Sequence, residues 1–240
     1  VTAAPDDLAP EVLATVLGGR PVRTYGALLS TEADALAWAR AGGPHGGVVV
    51  AGGQRVARTA AEDSLAFSLL LRPSLCSERE GWIYLVAATA MGDVMAPPAR
   101  YEWPGTVTSG TAGTAGTAGA TGTAVAARVT AQAEVRPEGV EAAVVTVLVP
   151  EVRPPRGPLL ADIVEAVEAR LASPTQEVLA VARARCSTLG RPVRARILPT
   201  GTVEGRAADL APDGSLVIAA KGGRPIAVRP NDLDVLEQDP

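Results

Sequence analysis

The chain of 240 residues contains one histidine, one lysine and two cysteines, and each scarcity removes a class of chemistry. Cys76 and Cys186 stand far apart with no CxxC spacing, which fits a reducing compartment and argues against a disulfide framework or a cysteine zinc site. His45 alone cannot build a histidine metal cluster, and it leaves almost nothing for a serine–histidine catalytic pair, so no metal site is expected. Lys221 is the only lysine among 22 basic residues, so a mechanism that needs a lysine has one candidate, and it sits on a "KGG" turn suited to solvent. There is no basic excess: the formal charge of −4 gives nucleic acid nothing to be steered by. The stretch "VTAAPDDLAP" lacks the regions of a signal peptide and no apolar run reaches membrane-spanning length, so the expectation is a soluble cytoplasmic protein with no membrane partner.

What is present reads as a mixed α and β domain followed by a small all-β module. "PEVLATVLGG" places Val12, Leu13, Val16 and Leu17 on one helical face and stops at Gly18 and Gly19. "PVRTYGALL" reads as a strand, and "STEADALAWARAGG" as a helix with Thr31 and Asp34 at capping-box spacing. "GGVVVAGG" and "LAFSLLLRP" read as buried strands, and "EREGWIYLVAATAMGDVM" as a core helix through Trp82, Leu85, Val86 and Ala90. The tandem "TAG" repeat offers too little apolar surface to offset its ordering entropy, which predicts a flexible surface loop over 107–123. A hairpin around "RPEG" and two amphipathic helices, "PLLADIVEAVEARLAS" and "TQEVLAVARARCSTLG", complete residues 1–189. Short strands between "PDG" and "KGG" turns then give residues 190–240 the length of an SH3-like β-barrel.

Four stretches, met in this order, resemble the biotin protein ligases that lack a DNA-binding domain. "LLSTEADALAWARAG" is similar to the family's Ser-Thr-Asn helix start, and "GGVVVAGGQRVAR" to the strand entering its Gln-x-x-Gly-Arg-Gly-Arg loop. "YEWPGTV" is similar to its Lys-Trp-Pro-Asn-Asp motif, and "CSTLGRPVRARILPTGTVEGRAADLAPDGSLVI" to its C-terminal barrel. The resemblance implies an α+β fold, a mixed sheet with flanking helices of the biotin/lipoate ligase type plus the small barrel. It also implies a two-step reaction in which biotin and ATP form biotinyl-adenylate, and the acyl group then passes to a lysine of a carboxyl-carrier domain.

Carried over residue by residue, the resemblance places Ser30, Thr31 and Gln54 on the biotin side, Arg58 as the first loop arginine, and Trp103 in the ligand-binding motif. Ser30 and Thr31 equally suit plain helix capping, and Gln54 with Arg58 equally suit an exposed loop. The adenylate side departs from the pattern. Ala57 and Thr59 stand for loop glycines that would let backbone amides approach phosphate, Ala60 stands for an arginine, and Glu62 and Asp63 follow where the family is basic. Glu102 occupies the place of the lysine, and Gly105 and Thr106 those of the asparagine and aspartate. Two unit charges 4 Å apart at an effective dielectric of 20 interact by about 4 kcal/mol, so reversing one shifts the adenylation barrier by up to about 8 kcal/mol, on the order of six decades in rate.

Three functions follow from this pattern. The first is a ligase-like protein without catalysis that binds a biotin-like acyl ligand or a biotin carboxyl-carrier domain, or that partners a true ligase. The second is an active ATP-dependent biotin–protein ligase whose cations come from Arg55, Arg58 or Arg100; strand alternation puts Arg100 on the face of Glu102, where it could equally form an ion pair with that glutamate. The third is a structural or regulatory partner with an empty pocket. Retained Ser30, Thr31 and Gln54 favour the first over the third; Glu102 and Ala60 favour it over the second. "GGVVVAGGQ" does not satisfy GxGxxG, so a nicotinamide site is not expected, and His45 in "GGPHGG" reads as a surface-loop residue.

Overall fold

The structure is a computed structural model that describes residues 6–52, 64–95, 99–110, 123–199, 201–220 and 223–238. Two sheets organise it. The first is built from β1 (Val22–Tyr25), β2 (Gly47–Ala51), β3 (Leu65–Leu71), β4 (Ala99–Glu102), β5 (Thr106–Gly110), β6 (Thr123–Arg136) and β7 (Gly139–Val149), in the order β1-β2-β3-β7-β6-β5-β4. Only β1 and β2 run parallel; the other pairs are antiparallel. The second joins β8 (Pro192–Ile197), β9 (Thr202–Leu210), β10 (Leu216–Ala220), β11 (Pro225–Val228) and β12 (Leu233–Gln238) as five antiparallel strands in the order β11-β10-β9-β8-β12.

The two faces of the larger sheet are treated unequally. Alternate residues Leu65, Phe67, Leu69 and Leu71 of β3, Val145, Val147 and Val149 of β7, and Ala127, Val129 and Ala131 of β6 enter one continuous apolar core. Helix α3 (Trp82–Val94) lies over β4 to β7 on this side, with α4 (Gly157–Ala172) and α5 (Thr175–Arg185) packed against it. Every residue of α3 from Trp82 to Met91 is buried, so it is an all-round apolar core helix. α1 (Pro10–Val16) packs on α4, where Leu160, Ile163, Val164 and Val167 form the buried stripe. Buried Arg156, just before α4, donates from Nε and Nη2 to the Asp7 carboxylate at 2.9 and 2.7 Å and from Nη1 to the Ser64 carbonyl.

Among the described residues, the opposite face carries only α2 (Thr31–Arg40), which covers β2, β3 and β7 through a small cluster of Ala35, Ala39, Val49, Leu70, Ala142 and Val144. Two local expectations change here. Ser30, not Thr31, caps the helix: its Oγ accepts from the Ala33 amide at 3.1 Å, while the Thr31 side chain turns inward and is fully buried. The range 107–123, expected to be loop, is strand at both ends, because Val107 is a core residue of β5 and Thr123 opens β6; residues 111–122 lie outside the described residues.

The smaller sheet docks through the turn between β9 and β10. A Cβ on Gly214 would lie 2.0 Å from the Gly81 carbonyl oxygen, so this close approach, at φ +93°, requires glycine. The indole Nε1 of Trp103 donates to the Gly214 carbonyl at 3.0 Å, and Arg79 reaches the Pro212 carbonyl. No helix is long and apolar enough to cross a membrane among the described residues.

Candidate functional site

Strand registers place the motif residues on the half-covered face. Across it, Glu102 pairs with Thr106, Thr106 with Arg128, Arg128 with Leu148, Leu148 with Ala66, and Ala66 with Ala51. Their chain neighbours Tyr101, Val107, Ala127, Val129 and Val147 all belong to the core on the other side, which fixes the orientation of the row. The next row is Thr130, Thr146, Ser68 and Val49, and it runs under the start of α2.

Hydroxyl groups tie α2 to that second row. Thr146 and Ser68 share a hydrogen bond of 2.8 Å, and buried Ser68 donates to Thr31 at 2.9 Å. With Ser68 committed as donor, Thr146 supplies the proton of the other contact. Thr31 accepts, and its own O–H has no acceptor among the described residues. Thr130 donates to Glu32 at 2.9 Å, so the glutamate standing where the family carries asparagine is anchored to β6. A polar chain therefore runs from Thr146 through buried Ser68 to buried Thr31 beneath the head of α2.

The structure sorts the sequence-derived residues clearly. Ser30 and Thr31 stand at the head of α2 over this face. Glu102 is half-buried and Arg100 exposed on the same side of β4, and no ion pair joins them among the described residues. Gln54, Arg55 and Arg58, with the rest of 53–63, and Lys221 lie outside the described residues. Trp103 points the other way: it is buried in the core at 2% exposure, its backbone N–H donates to Thr188 Oγ1, and its indole is committed to Gly214. It supports the site from behind.

Gly105 has a physical reason to differ from the family's asparagine. A Cβ there would fall 2.1 Å from the Val129 carbonyl oxygen, and the Gly105 carbonyl accepts from the Val129 amide at 2.8 Å. The turn after Trp-Pro is drawn against β6, and no side chain fits. Burial, followed by the adjacent Cys186 thiol, pushes the Tyr101 phenol well above its ordinary range, so it offers no proton chemistry near neutrality. His45 accepts from the Arg72 amide at Nδ1 and faces Glu168 from Nε2 at 3.6 Å; its neighbours are structural. No group of three His, Cys, Asp or Glu able to hold a metal occurs among the described residues.

Arg128, Thr130, Ser68 and Thr146 were not singled out from sequence. Ser68 in "LAFSLLL" and Thr146 in "VVTVLV" are polar interruptions of otherwise apolar strands, a signal that could have been read. Arg128 gave none, since its meaning comes from which strands lie beside it.

A family model for the biotin protein ligase C-terminal domain matches residues 188–229. No curated protein matches the chain in sequence. Among solved structures, the biotin protein ligase of Aquifex aeolicus in complex with biotin and ATP is similar at 15% identity, TM-score 0.64, over 91% of this chain and 99% of that one. A biotin protein ligase-like protein of unknown function from a Silicibacter species is similar at 14% identity, TM-score 0.63, over 88% and 94%. The Helicobacter pylori biotin acetyl coenzyme A carboxylase synthetase, solved with biotinylated ATP, is similar at 14% identity, TM-score 0.57, over 87% and 100%. The chain has the fold of these biotin protein ligases, and its residues 188–229 match the model of the biotin protein ligase C-terminal domain.

Proposed function

We propose that the protein binds a biotin-like acyl ligand, or the carboxyl-carrier domain that bears one, in the cytoplasm, and that it does not build the acyl-adenylate at a ligase's rate. The observation that carries this reading is Glu102, a half-buried carboxylate on the half-covered face of the sheet, at the place of the motif's lysine. Adenylation places growing negative charge on phosphate, and stabilising it calls for cations aimed at those oxygens. A carboxylate there repels ATP, whereas the neutral ring of a biotin-like ligand carries no charge for it to repel. Free Cys76 and Cys186 fit the reducing compartment.

An active ligase is the second reading, and Arg100 and Arg128 favour it as cations on the same face. Calorimetry with biotin, ATP and a biotinyl-adenylate analogue separates the two. Biotin binding without ATP binding, together with no ATP-dependent labelling of a carrier domain, is expected; rapid labelling by the purified chain would replace the first reading by the second. Glu102→Lys should raise affinity for the adenylate analogue by roughly tenfold or more while leaving biotin affinity nearly unchanged, and added salt should weaken the gain.

A further inference from the structure

The two edges of the large sheet are finished differently. At β4 the edge is occupied: the Tyr101 carbonyl accepts from the Ser187 amide and hydroxyl, and Tyr101 bridges to Cys186. At β1, the Pro21 and Tyr25 carbonyls accept from the Val48 and Gly52 amides of the β2 side, both at 2.9 Å. The parallel register from Val22 with Val48 to Tyr25 with Ala51 turns the Arg23 backbone toward β2 as well, and it leaves the N–H and C=O of Val22 and Thr24 pointing out of the sheet. No strand lies beyond β1 among the described residues, and those four groups have no backbone partner there. An unpaired edge of this kind is a template for another strand.

The side chains around β1 decide what kind of strand fits. Val22 packs toward the core with Val48, so Val22 and Thr24 share the side of α1 and α4. Arg23 and Tyr25 face α2, where Arg23 stacks 4.3 Å from the Trp38 ring centroid and reaches Asp34 at 3.5 Å. On the α1 and α4 side a cleft of about 350 Å³ opens at Arg20, two residues ahead of Val22, lined also by Leu17, Val164 and Glu165. Glu168 holds Arg20 through both oxygens at 2.5 and 2.6 Å. Glu165 is exposed in this cleft, and Asp162, one turn earlier on α4, is exposed beside it; neither has an ion pair among the described residues. We propose that the β1 edge is a docking site for an extended segment of a partner protein that carries basic side chains at alternate positions. Partner residues opposite Val22 and Thr24 turn their side chains to the α4 side, where Glu165 and Asp162 are unmatched. The residue between them lies opposite Arg23, where an acidic side chain fits. A second copy of the chain suits the edge poorly: antiparallel pairing that uses both Val22 and Thr24 centres on Arg23 and sets two arginines directly opposite each other.

The test is an NMR titration of the full isotope-labelled chain with the end-capped peptide Val-Lys-Glu-Lys-Val and with its charge-reversed counterpart Val-Glu-Lys-Glu-Val. The first should bind at least about tenfold more tightly, with the Val22 and Thr24 amide signals moving most and added salt weakening the preference. Thr24→Pro removes an outward N–H that the sheet does not use, and it should abolish binding while the melting temperature holds. Asp162→Lys with Glu165→Lys, both at exposed positions, provides an independent variant should proline unfold the edge, and it should reverse the order of the two peptides. Binding of neither peptide, equal binding of both, shifts that lie away from β1, or an unchanged order in the double variant overturns the proposal. A dimer seen in sedimentation and lost in Thr24→Pro also overturns it, by giving the edge to a second copy. The ligand reading of the half-covered face stands or falls separately, since no residue invoked here belongs to it.

Discussion

The two faces of the seven-stranded sheet share the same backbone and have opposite fates. On one face, valine, leucine and alanine alternate into a core closed by α3, with Tyr101 and Trp103 sealing the β4 end. On the other, α2 stops short, and from β4 to β7 the row Glu102, Thr106, Arg128 and Leu148 carries charge, hydroxyl and a single large apolar side chain. The difference teaches that a strand motif is two messages interleaved. In "YEWP" the odd-numbered residues secure the fold and Glu102 alone faces the site.

Breaking the closed face should cost most. Trp103→Ala removes a fully packed indole and its hydrogen bond to Gly214, and should lower unfolding free energy by about 3–5 kcal/mol in urea titration. A loss below about 1 kcal/mol would mean that the two sheets are not joined there.

On the same side, the Asp7 carboxylate is held below its ordinary range chiefly by the hydrogen bond from Arg156. A lowered folded value stabilises the protein above the unfolded carboxylate pKa, about 3.9, and that stability disappears as pH falls from there through the folded value. Asp7→Asn removes the carboxylate that pairs with buried Arg156 and should cost roughly 3 kcal/mol at pH 7, with the gap from wild type closing below about pH 4 in pH-resolved melts. A gap that stays constant down to pH 2 would assign the effect to packing.

The open face should show the smaller stability effect and the larger ligand effect. Thr31→Val keeps the shape but strands the Ser68 proton, at a cost of about 1–2 kcal/mol. Adding Ser68→Ala should cost less than the sum, because both changes dismantle one hydroxyl chain. Full additivity in the double-mutant cycle would show that the chain is not a unit. Glu102→Lys, on the same face, should change affinity for the adenylate analogue far more than it changes the melting temperature.

Legibility in the sequence follows the same division. The closed face could be read in advance because burial writes a period into the chain: "LAFSLLL" and "WIYLVAATAM" announce a core strand and a core helix. The order of the motifs likewise pointed to the fold, and the C-terminal module retained enough of its pattern for a family match. Arg128 could not be found that way, since residues 102 and 128 come to share a row, on either side of Thr106, only through the registers of β4, β5 and β6. The capping assignment slipped by one residue for a similar reason: "ST" offers two hydroxyls in succession, and only packing against Ser68 decides which turns inward. Gly105 looked like simple loss of an asparagine, whereas the Val129 carbonyl leaves no room for any side chain.

The junction at Gly214 bears on how freely the two sheets could be exchanged between proteins. Gly214 meets the Gly81 carbonyl with no space for a methyl group, and its own carbonyl receives the Trp103 indole one residue from Glu102. A C-terminal module taken from another source is interchangeable only if its β9–β10 turn brings a glycine in this backbone conformation and a carbonyl at that spot. A graft that lacks either would displace Trp103, and through the chain would re-aim Glu102. Inheritance of the small sheet and of the site's electrostatics is therefore linked.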